Sequence, residues 1–149
     1  MSFEIIDHDL HGRIGKLYTK HGIVQTPTLA PVINPLRSPF PLKILESEFK
    51  VDLVITNAYI IWKNYGKKAI EKGIHRLLGL NVPIMTDSGA YQILEYGYID
   101  VNPDFILDYQ KAIGSDIGVI LDIPSGAGNT KYSVEWSVKE TLRRARRAK

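Results

Sequence analysis

Short apolar runs, each closed by polar residues, alternate along the chain with stretches whose apolar positions recur every three or four residues. Leu53-Val54-Ile55-Thr56, Val82-Pro83-Ile84-Met85-Thr86 and Ile117-Gly118-Val119-Ile120-Leu121 are such runs. Apolar on both faces, they predict buried parallel strands. Thr28-Leu29-Ala30-Pro31-Val32-Ile33 predicts one more, giving about four core strands near residues 29, 54, 84 and 119. Between them, Leu42, Leu45 and Phe49 fall at helical spacing, residues 65–72 are helix-compatible up to Gly73, and residues 74–78 form a short helical piece before Gly79. Asn102-Pro103-Asp104 is a strong helix start, with Asp100 and Asp104 as early acids. Phe105, Ile106, Tyr109, Ala112 and Ile113 mark the inward face of that helix, and Gly114 ends it. After a loop at 125–129, residues 132–149 predict a last helix with Val134, Val138, Leu142 and Ala145 inward.

The first 27 residues follow another rule. Phe3, Ile5 and Ile6 lead into a turn-like Asp7-His8-Asp9, Arg13 to Tyr18 alternate, and Ile23-Val24-Gln25-Thr26 is stopped by Pro27. This predicts a small antiparallel β meander over 1–27. Residues 28–149 then repeat apolar strand, polar loop and helix, about four β/α units within a single domain. The fold class is α/β, compatible with a (β/α) barrel or an open wound sheet. No GxGxxG or Walker-type glycine loop is present, so nucleotide-cofactor fingerprints are missing.

Composition removes several chemistries. There is no cysteine, which excludes disulfides, thiolate zinc sites and thiol nucleophiles within these residues. The four histidines (His8, His11, His21, His75) have no metal-ligand spacing and read as solvated or packed, so no metal site is expected. The formal charge of +3 permits an anionic partner without requiring one. The basic residues 143–149 read as the solvated face of the last helix, with cations favoured at its carboxyl end. No apolar run approaches the ~20 residues of a membrane span. The amino terminus lacks a signal-peptide layout, so a cytoplasmic location without membrane partners is expected.

The candidate chemistry lies at strand ends. Asp87 and Asp122 each close an apolar run, which should bring both to one rim of a parallel sheet. One carboxylate can manage protons while the other accepts hydrogen bonds from a ligand's N–H groups, as a guanine-like base would offer. Ser88 and Gly89 form a turn, Tyr91 offers a flat ring for stacking and Gln92 an amide. The competing reading is a tight turn, with Asp87 and Ser88 bonding local backbone and Asp122 capping the following segment. Ser88 has no GxSxG elbow around it and is not a hydrolase nucleophile. Asp116 reads as a turn residue leading into its strand.

Five segments resemble one family. Thr-Asp-Ser-Gly-Ala-Tyr-Gln (86–92) is similar to the Asp-Ser-Gly-x-aromatic-Gln signature of tRNA-guanine transglycosylases. Gly-Ile-His-Arg-Leu-Leu-Gly (73–79) resembles the segment before it, and Asp-Ile-Gly-Val-Ile-Leu-Asp-Ile-Pro (116–124) the strand after it. Thr-Pro-Thr-Leu-Ala-Pro-Val-Ile-Asn-Pro (26–35) and Ile-Thr-Asn-Ala-Tyr-Ile-Ile-Trp-Lys (55–63) resemble the archaeal type.

The resemblance implies the amino-terminal half of a TIM (β/α)8 barrel preceded by the meander. It also implies exchange of guanine in tRNA for a 7-deazaguanine base, preQ0 in archaeosine biosynthesis, through a covalent ribosyl-enzyme. On that resemblance Asp87 is the catalytic acid/base. Ser88, Gly89 and Gln92 shape the loop, Tyr91 stacks on the base, and Asp122 reads the base edge. The family's nucleophilic aspartate and its zinc site of cysteines and histidine lie further downstream than these residues. No cofactor is therefore expected here. The expected partners are tRNA, guanine or preQ0, and a second polypeptide or missing half completing the barrel. The chain alone is expected to be inactive. The alternative is a non-catalytic, tRNA-binding or accessory paralogue partnering a catalytic subunit.

Overall fold

A computed structural model describes residues 1–92, 101–126 and 128–148. The expectations for Asp100, for Ala127 in the loop and for Lys149 at the helix end lie outside these residues.

The meander forms as expected. β1 (Ser2–Asp9), β2 (Gly12–Thr19) and β3 (Gly22–Thr26) pair antiparallel in that order. Asp7-His8-Asp9 is not the turn, however. An irregularity in register between Ile5 and Asp7 absorbs one residue, so pairing continues to Asp9↔Gly12. The reversal falls at Leu10 and His11, with Leu10 at φ +49°.

A second sheet is parallel, ordered β4 (Val54–Asn57), β5 (Ile84–Asp87) and β6 (Ile117–Gly118). Its register sets Asn57 opposite Asp87. The strand expected near residue 29 is reduced to one parallel bridge, Val32↔Ile55. Ile33 N donates to Ile55 O (2.8 Å) and Ile55 N to Pro31 O (3.0 Å). Pro31 and Pro35 have no N–H with which to extend that ladder. The run at 117–121 pairs as strand only at Ile117 and Gly118. Val119 keeps one bond to the sheet, its N–H donating to Thr86 O (2.9 Å), and the Gln110 amide accepts from the same N–H (3.1 Å) and donates to the Val119 carbonyl (3.0 Å).

The described residues form the helices α1 (Lys43–Ser47), α2 (Ala58–Tyr65), α3 (Lys67–Lys72), α4 (Ile74–Leu78), α5 (Pro103–Ala112) and α6 (Lys131–Arg147). The expected α5 cap forms, with Asn102 Oδ1 accepting from Phe105 N at 2.7 Å. Ile106, Tyr109 and Ile113 face inward as expected, but Ala112 is exposed and Gln110 takes an interior place. Val54, Ala58, Ile61, Ile74, Ile84, Ile106 and Ile113 form the fully buried centre between sheet and helices. Each isoleucine there contributes roughly 1.5–3 kcal/mol of burial. Trp62 meets Phe105 and Tyr109 edge-on, at 4.9 and 5.3 Å between ring centroids.

α6 corrects its expected face. Val134, Val138 and Leu142 are exposed, and Ser137 is buried instead. The segment it covers, residues 121–123, lies outside the named strands. Its backbone groups therefore need side-chain partners. Thr141 Oγ1 accepts from Ile123 N (3.0 Å), and Arg144 Nη1 donates to Leu121 O (2.8 Å). That polar demand selects the inward face over the apolar stripe. Among the described residues, no helix is long and apolar enough to cross a membrane.

Candidate active site

β5 hands over to the loop 88–92 at its carboxyl end, where α/β sheets present ligand-binding groups. Thr86 is held from below: its hydroxyl donates to Gln110 Oε1 (2.7 Å) and lies 2.9 Å from Ser115 Oγ. Asp87 follows, half-buried. Burial drives its pKa above the ordinary aspartate value, the backbone N–H groups of Gly89 and Ser88 oppose that rise, and the charge of Asp122 adds to it. The charge of Asp122 thus reaches Asp87. Asp122 itself is partly buried and lies beyond β6, not at a strand terminus.

Ser88 is fully buried, and its hydroxyl donates to the Ile120 carbonyl at 2.9 Å. The hydroxyl thereby ties the Asp87 loop to the segment that carries Asp122. Gly89 has φ +93°, and a Cβ there would lie 2.5 Å from Tyr59 Cβ on α2. Only glycine fits both the conformation and the space. Tyr91 is 66% exposed, so its ring is free to receive a flat ligand. Gln92 is buried, and its Oε1 accepts from Asn57 Nδ2 at 3.0 Å.

Asn57 is the residue that sequence reasoning passed over. Its Oδ1 accepts from Ile60 N (2.9 Å) and caps α2, while its Nδ2 also approaches Asp87 Oδ2 at 3.4 Å. One amide therefore starts a helix and steadies both Gln92 and Asp87. The detectable signal was a polar residue at the end of an apolar strand, aligned with the same position of the next strand. Tyr59, which walls off Gly89, was equally missed. A cleft of about 410 Å³ opens beside the loop, lined by Asn34, Tyr59, Lys63, Asn64 and Gln92 among others. The more apolar cleft between Leu29, Phe40, Leu45 and Phe49 also reaches Val51 and Asp52, before the start of β4, and so lies away from Asp87.

The family model described as TGT, queuine tRNA-ribosyltransferase, matches residues 8–149. The chain belongs to the queuine tRNA-ribosyltransferase family. It is 50% identical over 147 residues to the tRNA-guanine(15) transglycosylase of Aeropyrum pernix, covering 99% of this chain and 28% of that protein. The protein of the same description from Pyrobaculum aerophilum is 50% identical over 148 residues, 99% of this chain and 29% of its own length. That of Archaeoglobus fulgidus is 44% identical over 147 residues, 99% and 30%. The chain thus spans under a third of the length of each of these curated relatives.

Membership of the queuine tRNA-ribosyltransferase family accounts for the five matching segments, and the family is one of pentosyltransferases. Among the described residues, one set brings three metal-ligating atoms together: His21, His75 and Asp116. It lies at the amino end of β5, where Asp116 N donates to Ile84 O at 3.0 Å, and Asp87 is at the other end of that strand.

Proposed function

We propose that these residues form the base-recognition part of a tRNA-guanine transglycosylase that exchanges guanine in tRNA for preQ0. The protein would work in the cytoplasm, within the first half of a (β/α)8 barrel. The observation that carries the reading is Asp87. Its carboxyl is half-buried at a strand's carboxyl end, its protonated form is favoured by burial, and a second carboxylate lies in electrostatic reach.

In this reading a carboxylate outside these residues attacks C1′ of the target ribose, and the C1′–N9 bond to guanine breaks. Asp87 delivers a proton to the departing base, and a ribosyl ester on the enzyme results. The incoming 7-deazaguanine then displaces the ester while Asp87 takes up its proton. This parallels the two-carboxylate logic of retaining glycosidases. Tyr91 supplies the stacking face, Asp122 accepts from the ring N–H and exocyclic amine, and Gln92 and Ser88 hold the loop in place. Three features support that division of labour: the exposure of Tyr91, the Asn57–Gln92 bond, and the Ser88 link to the Asp122 segment.

The test is base exchange, followed as labelled guanine incorporated into tRNA. Asp87→Asn should abolish exchange, and Asp122→Asn should weaken base binding. A purified polypeptide of these 149 residues should show no turnover until a polypeptide bearing the nucleophilic carboxylate is added. Robust exchange by the 149 residues alone would sink the division of the site. Full activity of Asp87→Asn would sink the role of Asp87.

A further inference from the structure

Three segments far apart in sequence meet at the amino end of the parallel sheet. The β2–β3 turn brings His21, α4 brings His75, and the turn before β6 brings Asp116. The Asp116 side chain is fully buried, His75 is 14% exposed at its side chain, and His21 is 32% exposed. The meander's turn meets the main fold here. Besides the His21–Asp116 contact, a Cβ on Gly22 would come within 3.3 Å of Pro83 Cδ.

Asp116 is oriented before either imidazole is considered. Its Oδ1 accepts from His21 N (3.0 Å) and its Oδ2 from Ile84 N (2.9 Å). Each oxygen keeps a lone pair. His21 Nδ1 lies 2.9 Å from Oδ1, and His75 Nε2 lies 3.0 Å from Oδ2. Metal-ligating carboxylates are commonly held by backbone donors in this way.

His75 is the decisive residue. Its buried Nε2 lies 3.0 Å from Asp116 Oδ2 yet makes no well-formed hydrogen bond. Nε2, Oδ2 of Asp116 and Nδ1 of His21 all lie within 4.8 Å of one another. A buried ring nitrogen without a hydrogen bond, beside a buried carboxylate, is a place where one cation can be held by both.

We propose that His21 Nδ1, His75 Nε2 and Asp116 form a structural site for a divalent transition-metal ion of the zinc class, fastening the meander to the parallel sheet. The donor set of two imidazoles and one carboxylate suits zinc and cobalt. Zinc bonds of about 2.0–2.2 Å at tetrahedral angles set neighbouring ligand atoms roughly 3.3 Å apart, so the two N···O spacings need only a small expansion. The two rings, stacked now at 3.6 Å between centroids, must swing apart on binding. That motion is itself measurable. His21, on an exposed turn, is the ligand that opens to solvent.

The test titrates the purified full chain with Co²⁺ and Zn²⁺. Cobalt should be taken up as one ion per chain with visible d–d absorption and without the intense thiolate charge-transfer bands of cysteine ligation. Zinc should shift the imidazole C–H resonances of both His21 and His75 as the stack opens, and should raise the thermal midpoint. His21→Gln, on the exposed turn, keeps the backbone contacts of Asp116; its circular dichroism should match wild type while uptake and the thermal shift are lost. His75→Gln should behave likewise toward cobalt. Equal metal uptake by wild type and His21→Gln would overturn the site. No cobalt uptake by the wild-type chain would also overturn it.

Discussion

Replacing Gly89 by alanine tests whether the loop after β5 is fixed by close contact with α2. Two penalties act at that position. The first is conformational, because φ is +93° and an L residue in left-handed backbone costs about 1–2 kcal/mol. The second is steric, because the new Cβ would sit 2.5 Å from Tyr59 Cβ. A Cβ atom cannot rotate away, so the helix or the loop must move, at about 1–3 kcal/mol. Gly89→Ala should therefore cost about 2–5 kcal/mol in total. Gly79 is the control: its φ is +69° and a Cβ there would meet nothing within 4 Å, so Gly79→Ala should cost only about 1–2 kcal/mol. Urea unfolding of both variants gives the comparison, with an unchanged m confirming that only stability has changed. The gap of about 1–3 kcal/mol corresponds to roughly 2–12 °C in Tm for a chain of this size. Equal midpoints for the two variants would refute the contact with Tyr59 as the constraint on the loop.

Further outcomes follow from other residues. Gln110→Leu removes the amide that bonds Thr86 and both backbone groups of Val119; it should cost about 2–4 kcal/mol in urea unfolding, mainly through the orphaned Val119 carbonyl. Tyr91→Ala, at a 66% exposed ring, should change stability by less than about 0.5 kcal/mol. It should weaken base binding by about 1–3 kcal/mol, read as a raised KM in base exchange. Asp87 binds its proton more tightly folded than unfolded, so its ionisation removes stability as pH rises from the ordinary aspartate range through the raised folded value. Asp87→Asn should therefore resist denaturant better than wild type near neutral pH, with the two converging in acid. A constant difference across pH would contradict the buried-carboxyl assignment.

The parallel strands and the Asp87 loop were legible because runs apolar on both faces end in sharp polar transitions. Helix α2 was not. Ala58-Tyr59-Ile60-Ile61-Trp62 continues the apolar character of β4, and only the Asn57 cap divides strand from helix. The inward face of α6 was misread because its apolar stripe gives no hint that Leu121 and Ile123 need polar partners. The strand near residue 29 was overcounted, since apolar content does not reveal that prolines withhold the donors a ladder requires. Asp116 looked like a turn residue, and it does precede β6. Its contact with His21, 95 positions away, depends on how the meander seats and leaves no local trace.

The bond from Ser88 to Ile120 has an evolutionary reading. One end is a side-chain hydroxyl, and the other is a backbone carbonyl that any residue supplies. Drift at position 120 is therefore constrained by packing alone, while position 88 must keep a small hydroxyl donor. Comparing sequences would reveal an invariant serine beside one acid and a variable neighbour near the other. The fastening between the two acid-bearing loops would be visible at one of its ends only.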